Sequence, residues 1–585
     1  MHDLVIRDGL IVDGTGRSRF SGDVAIEAGR IAQVGGKAGA GRREIRADGQ
    51  LVTPGVVDAH THYDGQVTWD PTLYPSSAHG VTTAVMGNCG VGFAPARTSE
   101  SEREFMIRMM EGVEEIPGSA LVEGMRWEWE TFPEYLDLLD RIPHAVNVVT
   151  QVPHAAVRAY VMGEERAHDQ DCNADELQQM VDITREALRA GALGFTTSRE
   201  VLIHRSTQAL GESASGFAAR GPQIPGAFVP GDELFALTQT LGDVGHGVFE
   251  IITSEVGYGE DFDWMTRIAR NTRRPVAFIF AQLAGQPEEY KAVLQKLSDL
   301  RAEGLDMRGL ISAHPTGVNL GLQSSINPFS LCPSFQDMHS LPLADKVARM
   351  RDPDLRARLL AEGPTVEAPP DIAKMTQHWR RHFVLGDPPN YEPTREQSIA
   401  ARAAAAGVDP KELAYDTLLE REGQQLIYVP IANYADYDLE ATREMLEHPQ
   451  CVISLSDGGA HVKTICDACQ PTFLLTHWVR DRTRGPRLSL EHAVQLQTRD
   501  TAELYGLHDR GVLEVGKRAD VNVIDFDALE LHAPRLFADL PNGGERLIQT
   551  AKGYTATLVA GEAIVEHDKP TGACPGSLVR GPPPA

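Results

Sequence analysis

Short runs of alternating apolar and polar residues open the chain. "LVIRDGLIVDG" and "DVAIEAGRIAQVG" are closed by Gly and Asp, as strands ended by turns are. "REIRADGQLVTPG" extends the pattern, and "ADVNVIDFD" and "YTATLVAGEAIVEHD" repeat it near the C-terminus. Residues 1–53 and 509–585 are therefore expected to supply the strands of one small all-β domain built from both chain termini.

Between them the period changes. In "NADELQQMVDITREALRAGALGFTTS" (173–198), Leu177, Met180, Val181, Thr184, Ala187 and Leu188 fall on one helical face. Asn173 suits an N-cap and Gly191 a terminator. "ALGFTTS" then reads as a buried strand. The theme of helix then apolar strand recurs at 262–282, 290–314 and 439–457. Such alternation predicts βα units and a parallel sheet. Strands are expected to begin near Gly55, Val81, Val146, Ala192, Gly247, Val276, Arg308 and Val452. Eight of them make an α/β fold of the (β/α)8 barrel type over residues 54–508, with sites at the C-terminal strand ends. Residues 318–425 are rich in Pro and charge, and read as an insertion after the seventh strand.

Composition narrows the function. At 585 residues the chain is long enough to enclose a barrel. A formal charge of −27 argues against nucleic acid or an anionic membrane as partner. No run reaches the length that spans a bilayer, and "MHDLVIRDGL" lacks the charged leader and apolar core of an export signal. Seven scattered cysteines fit a reducing compartment better than a disulfide framework. A cytoplasmic protein is expected, with homo-oligomerisation open.

The chemistry centres on "DAHTHYDG" (58–65). On an extended chain, residues i and i+2 share a face, so His60 and His62 would aim together into the barrel mouth. Imidazole is the commonest protein ligand for transition metals. Two surface histidines are the plainer alternative, but the preceding "TPGVVD" run favours metal. Cys89, in the "GNCG" that ends the second strand, offers a thiolate or a small buried apolar group. Asp457, in "CVISLSDGGAH", can bind metal and take a proton from water, or simply cap its turn. His461 in the same loop and His154 on the third strand would each hold a substrate oxygen or serve the structure. "CDAC" (466–469) lacks a second ligand pair and reads mainly as structural. "GVLEVGKRAD" lacks the glycine spacing of a phosphate loop.

Together these segments resemble the amidohydrolase superfamily, in its D-aminoacylase (N-acyl-D-amino-acid deacylase) branch. The resemblance rests on "LVIRDGLIVDGTG", "GVVDAHTHYD", "GVTTAVMGNCG", "GALGFTTS", "SDGGAH" and "GVLEVGKRADVNVID", and covers nearly the whole chain. It implies a (β/α)8 barrel with a small β-sandwich. It also implies metal ligands at His60, His62 and Cys89, with Asp457 as catalytic aspartate. The chain departs from the family where strands five and six each supply a histidine. Here they read "GVFEIITSE" and "PVAFIFAQL", with Ile252 and Phe280 or Ala281 near those places and Glu250 and Gln282 as the polar residues left. One divalent ion, zinc by preference, is thus expected rather than two. Ala468 stands where the branch carries an arginine for the substrate carboxylate.

The reading is a metal-dependent hydrolase of a small-molecule amide, with Asp457 moving the proton. His154, His461, Glu250 and Gln282 are the candidate oxyanion or substrate contacts. A cyclic amide, imide or lactone is a second substrate class, and a non-catalytic scaffold a third reading.

Overall fold

The computed structural model describes residues 1–168, 171–199, 224–227, 229–253, 258–364 and 375–582. Residues 254–255 of the expected fifth strand, 365–374 of the expected insertion and 583–585 lie outside the described residues.

The two termini share one sheet. Leu51–Pro54 pairs in parallel with His2–Ile11 on one side. On the other it pairs antiparallel with Val521–Ile524, Val52 opposite Val523. Leu4, Ile6, Val24, Val52, Val521, Val523 and Leu558 form its buried face, as the alternating runs require. Among the described residues, Leu51–Pro54 splices the N-terminal strands directly onto the C-terminal ones in one nine-stranded hydrogen-bonded order, and two further two-stranded sheets lie within residues 530–552.

Eight parallel strand positions follow. They are Val56–Asp58, Val81–Met86, Asn147–Thr150 continued by Val152–Pro153, Gly194–Ser198, Val248–Ile252, Val276–Ile279, Met307–Ile311 and Cys451–Ile453. All begin within two residues of their expected starts. They form two arcs, of three and six strands. The arcs meet at Gln151, where the third strand changes partners. Gln151 N–H still bonds Met86 O on the second strand, while Thr150 O accepts from Leu193 beside the fourth. No ladder joins the eighth strand to the first among the described residues. Val57, Val85, Val149, Leu193, Val248, Ala277, Leu310 and Val452, one from each strand or its threshold, nevertheless form one buried cluster with Tyr505. Tyr505 Oη–H donates to Ala59 O at 3.0 Å, tying that cluster to the first strand.

The helices sit where the periodicity puts them. Ala174–Ala190 is capped by Asn173, whose side chain accepts from Asp175 N and Glu176 N, and it buries Met180, Val181, Thr184, Ala187 and Leu188. Between the seventh and eighth strands the chain builds a sheet of its own from Gly317–Leu320, Ile427–Pro430 and Phe383–Val384. It carries a separate core that includes Leu320, Phe329, Phe335, Met350, Tyr415 and Ile427. No described helix is long and apolar enough to cross a membrane.

Candidate metal centre

Thr61 orients the two histidines. Its N–H and its hydroxyl both donate to Val85 O on the second strand, at 3.0 and 2.7 Å. His60 and His62 therefore turn to the other face, as alternation along an extended chain demands. Asn88 then pins the turn that carries Cys89. Its side chain donates to Thr61 O and Val85 O and accepts from Gln151 Nε2. Cys89 itself has φ 54°, a left-handed conformation that a non-glycine residue holds only under strong local constraint. The result is a compact group. His60 Nε2 lies 3.1 Å from Cys89 Sγ. Donor atoms of His60, His62 and Cys89 all fall within 4.8 Å of one another.

Asp457 joins from the end of the eighth strand. Its Oδ2 is 2.5 Å from His62 Nδ1, and its Oδ1 accepts from Gly459 N–H at 2.7 Å. The glycine is needed there, since a Cβ at 459 would come within 2.6 Å of His62 O. Glu250, on the fifth strand, brings Oε1 to 3.0 Å from His60 Nδ1. The angles fall short of a hydrogen bond, so Glu250 and His60 Nδ1 are close but unsatisfied.

One carboxylate at the site has no motif. Glu114 ends the helix Glu100–Glu114, 3.3 Å from His62 Nε2 and 3.5 Å from His461 Nε2. An acid in a helix's last turn opposes the macrodipole, and this one is also buried. Another demand must hold it there. An "EE" pair closing the helical run was the only available signal. His461 is brought to the rim of the site by these contacts.

The electrostatics fit a cation. Asp58, Asp64, Glu114, Glu250 and Asp457 are all buried around two imidazoles and a thiol. Among the described residues none of the five pairs with a lysine or arginine. Burial, with Asp457 beside it, pushes Asp58 up to about 7. Burial likewise raises Asp64 to about 7. Burial alone would lower His60, but Cys89 and Glu250 outweigh it and raise the ring to about 10. Burial would raise Asp457, yet its contact with His62 more than reverses that and keeps it ionised. Such an excess of buried negative charge is costly unless a positive charge shares it. The thiol and imidazole donors are those that suit zinc.

Two expected site residues are committed elsewhere. His154 opens a helix, with Nε2 at 2.8 Å from Glu233 Oε1 and Nδ1 at 2.9 Å from Thr197 Oγ1. Gln282 donates to Asp436 and accepts from Ala435 N–H, clamping a loop. Neither keeps a free group for a substrate oxygen. The His154 cluster is structural: the fully buried Arg158 meets both Glu233 oxygens. Glu233→Gln is expected to cost ~3–5 kcal/mol, because it removes the buried carboxylate that meets both Arg158 and His154. Urea unfolding measures this. A loss below about 1 kcal/mol, the range of a surface pair, would refute the assignment.

A small cavity adjoins the centre, lined by Asp457, Ala460, Cys466, Asp467, Leu547 and Gln549 among others. "CDAC" thus forms a wall of this cavity. Leu547 and Gln549 come from the C-terminal part of the chain, held by a bond from Leu547 N–H to Val462 O of the Asp457 loop.

Residues 43–565 match the model of the amidohydrolase family. The chain belongs to that family. It is 28% identical to an uncharacterized protein of Mycobacterium tuberculosis, over 90% of this chain and 84% of that one. It is 32% identical to the D-aminoacylase of Alcaligenes xylosoxydans xylosoxydans, over 33% of this chain and 37% of that enzyme. Its fold is that of the crystal structure of D-aminoacylase, with TM-score 0.63 and 23% identity over 99% of this chain and 100% of the other. N-acyl-D-glutamate deacylase from Bordetella bronchiseptica, complexed with zinc and a phosphonate inhibitor, gives TM-score 0.63 at 23% identity, covering 99% of each chain.

Proposed function

We propose that this protein is a metal-dependent hydrolase of small-molecule amides, using one zinc ion held by His60, His62, Cys89 and Asp457. The observation that carries this is the buried triad of His60, His62 and Cys89, bonded to Asp457 and ringed by buried carboxylates that no lysine or arginine among the described residues pairs with. The zinc-bound relative of the same fold supports the metal. A D-aminoacylase of the same fold has a binuclear metal centre with one-metal activation and second-metal attenuation, which is compatible with catalysis by a single ion. We read the two arcs as one closed barrel, residues 318–425 as its insertion, and the terminal sheet as a second unit.

When bound, the ion supplies Lewis acidity to water and to a substrate carbonyl. The protein does the rest. Asp457 is held ionised by His62 and accepts the proton of the attacking water. It then returns that proton to the leaving nitrogen. Glu114 lies against His62 and His461, and Glu250 against His60. His461 faces the rim, where an N–H can meet the developing oxyanion. Cyclic amides and imides stay within reach of this arrangement, because the described cavity lining contains no lysine or arginine to demand a free carboxylate.

The test is a turnover screen of N-acyl amino acids of both hands and of cyclic amides. Activity is expected with added zinc, lost after chelation and restored by zinc. Zinc-loaded protein that hydrolyses none of these amides would sink the proposal.

A further inference from the structure

The cavity beside Asp457 carries two polar groups that the hydrolytic mechanism leaves unused. One is Gln549, only 2% exposed. Tyr391 Oη–H donates to its Oε1 at 3.0 Å, which fixes the carboxamide's direction. Its Nε2 then has no partner. A buried amide N–H left unmade costs about 1–3 kcal/mol, so the group is set for an acceptor that arrives with a ligand.

The other is Asp467. Its side chain is 12% exposed, and Oδ1 lies 3.6 Å from His314 Nε2. That histidine gives it no proton. His314 Nδ1–H donates to Pro315 O at 2.9 Å, which leaves the lone pair on Nε2. Burial keeps the ring neutral by lowering it to about 4. Asp467 therefore presents an acceptor to the cavity with no N–H or O–H donating to its carboxyl among the described residues.

These two groups are one unit. The rings of His314, beside Asp467, and Tyr391, beside Gln549, stack with centroids 4.5 Å apart and planes 10° from parallel. One rigid aromatic pair thus sets both the donor and the acceptor. Of the two acids lining the cavity, Asp467 is raised well above the usual carboxylate range by burial with Asp457 and Asp58 near it, which leaves Asp457 as the charge there, and no described lining residue is cationic. A substrate carboxylate would meet like charge in a desolvated space.

We infer that the site selects substrates bearing a neutral amide edge, a C=O beside an N–H, read by Gln549 as donor and Asp467 as acceptor. This deepens the proposed hydrolase reading and rests on it. The class covers primary carboxamides, lactams, imides and ureides, and disfavours free α-carboxylates. A site built to bond an N–H rejects the analogue that lacks it far more strongly than a size mismatch would.

A matched pair tests this: N-acetylmethioninamide against N-acetylmethionine, both hands of each. Binding is the readout, by calorimetry on zinc-loaded Asp457→Asn protein, so that slow chemistry does not obscure it. The carboxamide of one hand is expected to bind at least tenfold more tightly than its carboxylate. Gln549→Leu and, separately, Asp467→Leu in that background should each erase most of the difference. Equal or tighter binding of the carboxylate would overturn the inference, and so would binding of neither. The hydrolase reading is judged apart from this, by zinc-dependent turnover in the wild-type screen.

Discussion

Protein in which His60 and His62 are both replaced by alanine is expected to purify without the zinc proposed for wild type, and without activity. The two imidazoles are half of the proposed ligand set, and their loss leaves Cys89 and Asp457, whose partner His62 would be gone. Removing zinc ligands forfeits binding free energy that reaches ~10 kcal/mol or more in structural sites. The fold should survive, because the packed layer of Val57, Val85, Val149 and Val248 is a separate cluster from these side chains. Elemental analysis reads the metal, and circular dichroism reads the fold. The thiol of Cys89 gives an independent check. In wild type it should resist alkylation until a chelator is added, since it is buried and shielded by the ion. In the double variant, chelation should make no difference. Unchanged metal content in that variant would refute the assignment.

The strands were readable because each is a short buried run fenced by turn residues, and their period does not depend on distant partners. His60 and His62 were readable because two positions apart on one extended segment is a local fact. Cys89 and Asp457 were readable because strand ends are where a barrel gathers its chemistry. The limits have equally physical causes. Glu114 and His62 are far apart in sequence, and no periodicity records that a helix end returns to the first strand. Gln549 reaches the cavity from the C-terminal part of the chain, outside every quoted motif. His154 and Gln282 looked like site residues because a polar side chain at a strand end reads the same whether it awaits a substrate or already bonds Glu233 or Asp436. The place of Leu51–Pro54 between the N- and C-terminal strands was not legible for a similar reason. Alternation specifies which face of a strand is buried, and is silent on which strand lies beside it.

Asp457→Asn is expected to lower kcat by at least the roughly hundredfold that a general base contributes, with a smaller effect on KM. The geometry makes this substitution informative. Asp457 Oδ1 accepts from Gly459 N–H, and Oδ2 faces His62 Nδ1 at 2.5 Å. Asparagine can keep the first contact with its own oxygen. Its NH₂ must then face His62, donating where the aspartate accepted. That pairing reverses the tautomer His62 adopts and removes the one oxygen that could take the proton from water. Shape is preserved while the base is lost. Metal content decides how the result is read, since Asp457 is both proposed ligand and proposed base. The decisive sample is therefore Asp457→Asn with its zinc measured and present. If that sample turns over substrate at close to the wild-type rate, Asp457 is not the base. Glu114 would then take its place as the nearest alternative, since it alone among the other buried carboxylates contacts both His62 and His461.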